Sequence, residues 1–527
     1  MSYFLALQTL PLVDVNWGII LPELIVGIAA ILVMLVDAFA KPSQRWISGS
    51  LSLLGIGFAA LAAFLQWPIN GSVAQSGFNG MIVLDHLRLS FTFIFLFVSA
   101  LTILISVVWI EGEDLPAGEF HTLLLFATCG MMLMASGGDL VIIFLGLEIL
   151  SIATYVMAGF RRTDVRSNES SLKYFILGSF SSAFLLYGIA MIYGGTATTS
   201  GLPGTTNIDQ IALHLRDARY PSLLFAGAAL MLVGFGFKIA TAPFHVWTPD
   251  VYEGAPTPVT AFMAAGPKAA GFAAFLRVFV FAFPFVAVGV GSTHTYPEWL
   301  HTVWVNALFV IAILTMTIGN VAAIVQSNVK RMLAYSSIAH AGYALIGFVA
   351  AGSTGDLEQR NVALSAVAFY LFTYAVMNLG AFAVVTLIAR NGDRRTEFED
   401  YNGIGFKAPA LSFALALFML SLFGMPLTAG FMGKIAVFSS ALNQGLYVLV
   451  IIGVLNTAVS AYYYLRLIVV MFFRERTTEW LAPKVPVAVS VALVITVFGV
   501  LYLGFFPGRV LDIFQQSSVA VSAKIMH

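Results

Sequence analysis

Charged residues and cysteines are both scarce in this 527-residue sequence. Only 10% of the residues are charged, whereas soluble domains carry about 25%, and 59% are hydrophobic. A chain this apolar needs lipid as its solvent. Its 26 basic and 26 acidic residues cancel, so the charge balance gives no sign of a nucleic-acid partner. The single cysteine, Cys129, excludes an intramolecular disulfide and a cluster held by cysteines.

Motifs for cofactors, metals and nucleotides are also missing. The eight histidines have no metal-ligand spacing such as HExxH. The sequence has no GxGxxG after a strand, no phosphate-binding GxxxxGKS/T and no haem motif. We therefore expect no cofactor-binding residues and no metal ligands in this chain.

Long apolar runs are what the sequence has in abundance. A helix that crosses the hydrocarbon core needs about 20 largely apolar residues. Fourteen runs meet this need, at approximately 19–39, 46–66, 87–110, 119–137, 139–160, 170–194, 222–243, 258–283, 303–326, 332–352, 361–389, 409–443, 447–473 and 485–506. The sequence therefore predicts an all-α membrane protein with about fourteen transmembrane helices.

Two of these helices are predicted to be broken. Run 409–443 is too long for one straight helix and contains a series of breakers, Gly424, Pro426, Gly430 and Gly433. The seventh run is followed by PFHVWTPDVYEGAPTP, which is too aromatic for a surface turn. Irregular backbone at membrane depth is tolerated only where protein or an internal cavity surrounds it.

Broken helices seven and twelve are five helices apart, a spacing that favours two inverted five-helix repeats with the site between them. We predict one polytopic domain, 1–527. Helices 1–3 (1–118) would precede repeat one, helices 4–8 (119–283), and repeat two, helices 9–13 (303–473). Helix 14 and its tail (485–527) would follow. SIATY in helix five and SIAHAGY in helix ten are two short, similar sequences, one in each repeat.

Lysine and arginine are unequally shared between the two sides of this topology. Fifteen fall in the loops on one side and six on the other. Cytoplasmic loops carry the excess of positive charge. We therefore predict that the side with fifteen faces the cytoplasm and that both termini lie on the outer side.

Five basic residues remain inside the predicted helices: Lys238, Lys268, Arg277, Lys434 and Arg466. An ionisable group at the bilayer centre costs at least about 2.5–3.5 kcal/mol and usually faces protein or water. The three lysines lie among small residues that leave room for water or close helix packing. We interpret the two arginines as snorkelling residues near helix ends.

A buried lysine suits proton transfer because burial lowers the pKa of a lysine and a neighbouring carboxylate raises it again. Glu148, in FLGLEILSIATY, is the best candidate for such a carboxylate. A single buried lysine, or Glu148 itself, could equally belong to a static ion pair that holds helices together. Three lysines in three helices, two of them beside helix breaks, favour proton transfer.

Two histidines are further candidates for proton transfer, whereas three other charged residues are not. His340 and His245 are candidate proton relays because histidine titrates near neutrality, but either could be a hydrogen-bonded core histidine. Glu23, early in the first helix, is interpreted as a packing or subunit-contact residue. Lys330 and Arg331 are interpreted as ordinary cytoplasmic anchors.

One stretch carries a specific family resemblance: LVGFGFKIATAPFHVWTPDVYEGAPTPVTAFMAAGPKAAGF, residues 232–272. LPELIVGIAAILVMLVD, LEILSIATYVMAG and NVKRMLAYSSIAHAGY support it. Over nearly its whole length the chain resembles the subunit N family of bacterial respiratory complex I, the NADH:quinone oxidoreductase. It is also similar to the large subunits of multisubunit cation/proton antiporters.

The resemblance implies a fourteen-helix, antiporter-like subunit that translocates protons across the membrane. In that family a glutamate on helix five pairs with a lysine on broken helix seven. A connecting lysine follows on helix eight, and an exit-side lysine or glutamate lies on broken helix twelve. The matching positions here are Glu148, Lys238, Lys268 and Lys434. Lys434 in place of a glutamate, and the lack of a long lateral helix, fit the N type.

Partners and cofactors follow from the same resemblance. The chain would be one subunit of the translocase NADH:quinone oxidoreductase, beside adjacent antiporter-like and small membrane-arm subunits. FMN, iron–sulfur clusters and quinone would lie in partner subunits. Two alternatives stay open, a large subunit of a multisubunit cation/proton antiporter and a non-pumping scaffold of complex I. The electron donor also stays open among NADH, ferredoxin and formate.

Overall fold

The computed structural model describes residues 15–41, 44–67, 75–283, 298–476 and 483–515. Thirteen helices in these ranges are long and apolar enough to cross a membrane, and a fourteenth span is counted when the bent segments Phe398–Phe406 and Pro409–Phe423 are joined. The prediction of an all-α membrane protein with about fourteen transmembrane helices is confirmed.

These thirteen helices and α12, which is divided into two segments, are, in chain order, α1 Leu21–Phe39, α2 Trp46–Gln66, α3 His86–Gly112, α4 Ala117–Ser136, α5 Leu140–Ala158, α6 Val165–Gly195, α7 Pro221–Lys238, α8 Thr257–Leu276, α9 Glu298–Ile324, α10 Val329–Gly352, α11 Leu357–Ala389, α12 Pro409–Phe423 and Ala429–Asn443, α13 Tyr447–Phe473 and α14 Val487–Phe505. Predicted tail residues 516–527 lie outside the described ranges.

Short elements connect these helices. Strands β1 Gln75–Gly77 and β2 Ile82–Leu84 form an antiparallel hairpin in which Gln75 pairs with Leu84. A π-helical turn, Arg277–Ala282, extends α8. The other short helices are Ile208–His214, Leu215–Asp217, Thr248–Gly254, Asn391–Asp393, Phe398–Tyr401 and Ile404–Phe406.

Helices α8, α10 and α11 form the centre of the bundle. An 18-residue stretch is 100% buried in α8 and 94% buried in α10 and α11, against 33% in α1 and α6. Small residues allow the close packing that membrane helices use. For example, a Cβ on Gly130 of α4 would lie 2.7 Å from the Gly146 carbonyl oxygen of α5. Charged residues on the central helices are therefore shielded from lipid.

Both predicted helix breaks are present. α7 ends at Lys238, five residues before its predicted end, because the chain turns through Ala240 (φ +59°) and the Trp247 indole donates to the Phe237 carbonyl (3.0 Å). In α12, Gly424 adopts φ +96° and ends the first segment. Each α12 segment has 15 residues, or about 22 Å, less than the roughly 30 Å hydrocarbon core. Neither segment of α12 is therefore long enough to cross the hydrocarbon core by itself.

Candidate functional site

The three predicted lysines are all buried in the bundle. Their exposed fractions are 5% for Lys238, 2% for Lys268 and 4% for Lys434. Lys238 is the last residue of α7, Lys268 follows Pro267 inside α8, and Lys434 lies in the second segment of α12. Buried cations at this depth are costly unless polar groups receive them, so their contacts define the site.

Lys238 contacts a serine. Its Nζ donates a hydrogen bond to Ser151 Oγ of α5 at 2.9 Å, and it lies 5.9 Å from the centroid of the Tyr174 ring. Tyr174 in turn stacks on Trp247, with ring centroids 4.5 Å apart. A cavity of about 10 Å³, lined by residues that include Ser151, Ser181 and Lys238, has room for about one water molecule.

Glu148 lies one helical turn before Ser151 and is half-buried. No ion pair within 4.0 Å joins it to Lys238 in the described ranges, although the two residues interact electrostatically. Its Oε1 is buried and has no hydrogen-bond partner among the described residues. The structure thus brings Glu148 and Lys238 into one neighbourhood, with Ser151 receiving the ammonium.

Lys268 contacts α10. Its Nζ donates to the Ser337 carbonyl oxygen at 2.5 Å and also to the Ser337 hydroxyl. The ammonium lies 5.7 Å from the Tyr374 ring centroid of α11. Lys268 is therefore held between α8, α10 and α11, the three most buried helices.

His340 lies three residues after Ser337 on α10 and makes two contacts. Its Nδ1 is 2.7 Å from the Tyr370 hydroxyl and its Nε2 is 3.2 Å from the Tyr464 hydroxyl. Tyr464 also hydrogen-bonds to the Ser336 hydroxyl. His340 interacts electrostatically with both Lys268 and Lys434, so it occupies a bridging position between these lysines.

Lys434 donates to a backbone carbonyl exposed by the α12 break, that of Phe423, at 2.7 Å. It lies 4.6 Å from the Tyr343 ring centroid. The Tyr343 hydroxyl accepts from Asn320 (3.1 Å), which also accepts from Tyr463 (2.8 Å). The sequence reasoning did not single out these tyrosines or Asn320, although polar side chains in apolar helices were the available signal.

Among the described residues, no hydrogen bond connects the His245 side chain to this network. It lies in the break after α7, and its Nδ1 is buried with no hydrogen-bond partner in the part of the chain that the structure describes. Its role as a relay stays a prediction.

A buried charge cluster lies at the end of the bundle where α10 begins. Asp393 accepts from Arg161 (2.9 Å), Lys330 (3.0 Å) and the Thr257 hydroxyl (2.8 Å). Burial alone would raise the pKa of the Asp393 carboxyl, but Lys330 and Arg161 outweigh it and hold that pKa well below its usual range. The interpretation of Lys330 as an ordinary anchor is wrong, because its side chain is 1% exposed.

Two buried ion pairs lie at the opposite end. Glu23 pairs with Arg88 at 2.6 Å, and Arg277 pairs with Asp85 through bonds of 2.9 and 3.0 Å. Arg277 does not snorkel, since it is 4% exposed and its Nε also donates to the Ala135 carbonyl. Arg88 is also buried. These pairs join α1 to α3 and α3 to α8.

A family model and related proteins, matched over most of the chain, agree on one family. The family model described as NADH:quinone oxidoreductase/Mrp antiporter, transmembrane region, matches residues 137–460. NADH-quinone oxidoreductase subunit N of Trichlorobacter lovleyi is 46% identical over 507 residues, covering 95% of this chain and 97% of that protein. NADH-quinone oxidoreductase subunit N 1 of Solibacter usitatus is 42% identical over 501 residues, covering 94% and 96%.

Solved structures give the same architecture. A chain of respiratory complex I from Thermus thermophilus with bound aureothin has a TM-score of 0.74 at 33% identity, covering 94% of this chain and all of that one. A chain of the Mrp complex from Dietzia sp. has a TM-score of 0.80 at 19% identity, covering 97% and 100%, and shares the fold.

The fold and the buried lysines on broken helices define an antiporter-like, membrane-spanning subunit. Within this class, the identity to its relatives extends over nearly the full length, and the chain belongs to the NADH-quinone oxidoreductase subunit N family.

Proposed function

We propose that this chain is a membrane-arm subunit of the translocase NADH:quinone oxidoreductase and carries protons along Lys238, Lys268 and Lys434. One observation carries the proposal. All three buried ammonium groups donate to uncharged oxygens, of Ser151, Ser337 and Phe423, and none is in an ion pair within the described residues. A lysine locked to a carboxylate would keep its proton, whereas these contacts leave the charge free to change.

The proposed coupling is indirect. Electron transfer in other subunits changes the electrostatics at Glu148, Lys238 loses its proton towards Lys268, and the charge moves on towards Lys434 and the outer side. His340, with Tyr370 and Tyr464, provides polar groups between Lys268 and Lys434. The membrane potential opposes export by about 2.3 kcal/mol per charge per 100 mV, which a driven change of a few pKa units can overcome.

The assembly and location belong to the same proposal. The chain would lie in the bacterial inner membrane, with both termini on the periplasmic side, beside adjacent antiporter-like and small membrane-arm subunits. FMN, iron–sulfur clusters and quinone would be held by partner subunits. The relatives named as subunit N support this assignment.

Proton pumping by the assembled complex tests the proposal. Lys238→Ala should lower the protons translocated per NADH oxidised in sealed membrane vesicles, because it removes the first carrier. Lys407→Ala, at an exposed lysine, is the matched control and should pump as the wild type does. NADH oxidation with an artificial acceptor confirms equal assembly. Wild-type pumping by Lys238→Ala in an assembled complex would contradict proton transfer through these lysines.

Purification of the tagged chain from native membranes tests the assembly. Co-purification with flavin- and iron–sulfur-bearing subunits supports the oxidoreductase. Co-purification with small antiporter subunits alone would instead support a cation/proton antiporter, a class with the same fold, and Lys238 would then be tested by sodium exchange.

A further inference from the structure

The three buried lysines differ in the kind of oxygen that receives them. In the described part of the chain, Lys434 donates to a backbone carbonyl, and Lys268 donates to both a carbonyl and a hydroxyl. The Nζ of Lys238 donates to the Ser151 hydroxyl alone. The site therefore contains one lysine whose hydrogen bonding depends on a single serine.

The difference matters because of what each oxygen can do. A carbonyl oxygen only accepts hydrogen bonds, so it can receive an N–H of an ammonium or of a neutral amine but cannot donate to the lone pair of the amine. A hydroxyl accepts from an ammonium and, after rotation, donates to a neutral amine. Ser151 can therefore keep its contact with Lys238 in both charge states.

Ser151 lies on the same helix as Glu148, the carboxylate that acts on Lys238. Glu148 and Ser151 are three residues apart on α5 and so share a face of that helix. Glu148 interacts electrostatically with Lys238 but does not reach it, and Glu148 Oε1 has no hydrogen-bond partner among the described residues. A direct ion pair would satisfy that oxygen, yet the ammonium is held on the serine.

We infer that Ser151 is a positioning residue: its hydroxyl holds Lys238 off Glu148, so that Glu148 tunes the lysine's proton without capturing it. This inference rests on the proposed function. Ser337 holds Lys268 in a similar way from α10, and both serines open the sequence Ser-Ile-Ala, at 151–153 and 337–339. The short sequence that helices five and ten share thus begins, in each helix, with the serine that receives a buried lysine.

The test compares Ser151→Ala with Ser151→Thr in the assembled complex. Without the hydroxyl, Lys238 can pair directly with Glu148, and a hydrogen bond between charged groups shifts the balance between the charge states of Lys238 by about tenfold towards the charged form. We expect Ser151→Ala to pump fewer protons per NADH and Ser151→Thr to pump nearly normally. Threonine keeps the hydroxyl, and the cavity beside Ser151 gives space for its methyl group. Equal loss in both variants would overturn the inference, as would normal pumping by Ser151→Ala.

A double-mutant cycle with Glu148→Gln measures whether the effect of Ser151→Ala on pumping depends on the charge at position 148. A purely structural role of Ser151 would show no such dependence. If Ser151 acts by keeping Lys238 off the carboxylate, Ser151→Ala should cost much less pumping once position 148 is uncharged than it costs in the wild type. Additive losses would overturn the inference. Lys238→Ala separates the two ideas: normal pumping by Lys238→Ala rejects the proposed function, whereas defective Lys238→Ala beside normal Ser151→Ala rejects only the role of the serine.

Discussion

Glu148 of α5 and Lys238 of α7 interact electrostatically but form no ion pair in the described part of the chain. The Lys238 ammonium donates to Ser151 Oγ at 2.9 Å, and the Glu148 Oε1 is buried without a hydrogen-bond partner among the described residues. A carboxylate that acts at a distance changes the stability of the lysine's charge by less than one in direct contact, because Coulomb energy falls with separation. This separation suits a lysine that must both gain and lose its proton.

Glu148→Gln should lower proton pumping while leaving the complex assembled. The substitution keeps the size of the side chain but removes the charge that favours protonated Lys238. Protons pumped per NADH in sealed vesicles measure the effect, with Glu475→Gln at an exposed position as control. Unchanged pumping by Glu148→Gln would show that this carboxylate does not control the lysine.

Tyr370→Phe should slow transfer between Lys268 and Lys434. The hydroxyl that it removes lies 2.7 Å from His340 Nδ1, so the histidine loses one of its two polar partners. Tyr335→Phe, on a half-buried tyrosine of α10, is a matched control. Steady-state pumping should be slower in Tyr370→Phe than in Tyr335→Phe. Equal rates in the two variants would place Tyr370 outside the path.

Gly424→Ala should disturb both the α12 break and Lys434. Gly424 has φ +96°, and an added Cβ would lie 3.1 Å from Lys434 Cδ. Strain of this kind costs about 1–3 kcal/mol, so we expect a lower unfolding temperature and weaker pumping. Gly57→Ala in α2, where a Cβ would meet nothing within 4 Å, should leave both unchanged. A variant as stable and active as wild type would show that the break tolerates a side chain.

Asp393→Asn should destabilise the subunit by about 3–5 kcal/mol, because it leaves buried Lys330 and Arg161 without their shared carboxylate. Thermal unfolding of the purified complex measures this loss. Asp512→Asn, at an exposed aspartate, is the control and should unfold as the wild type does.

The difference in stability between wild type and Asp393→Asn should depend on pH. The pKa of Asp393 is lower in the folded state than its usual value, so the unfolded chain binds the proton more readily. The stability that ionised Asp393 contributes is therefore complete above the unfolded-state pKa of about 4. It is lost as the pH falls from that value towards the folded-state pKa. The stability gap between wild type and Asp393→Asn should be constant at neutral pH and shrink in acid. A gap that widens in acid would contradict this sign.

The sequence predicted the membrane class, the helix count and both breaks because these depend on local chemistry. Length and apolarity alone mark a crossing helix. Pro243, Gly424 and Pro426 favour a helix end through their own backbone preferences. The end of α7 at Lys238 could not be placed, because a tryptophan nine residues later supplies the hydrogen bond to the Phe237 carbonyl.

The sequence also found the three buried lysines, because a charge within an apolar run needs no partner to be noticed. It did not find what they contact. Ser151, Ser337 and Tyr370 are ordinary polar residues in a sequence, and only helix packing brings them to Lys238, Lys268 and His340.

The same limit explains the errors on Lys330 and Arg277. By position each lies near a helix end, where a basic side chain normally reaches water. Asp393 and Asp85 are distant in the chain and lie beside them only after the helices assemble. The sequence by itself determined which segments enter the membrane, since that depends on each segment's transfer from water to lipid. The tertiary structure alone decided which charges are paired and which are held by hydroxyls, since these contacts join residues remote in sequence.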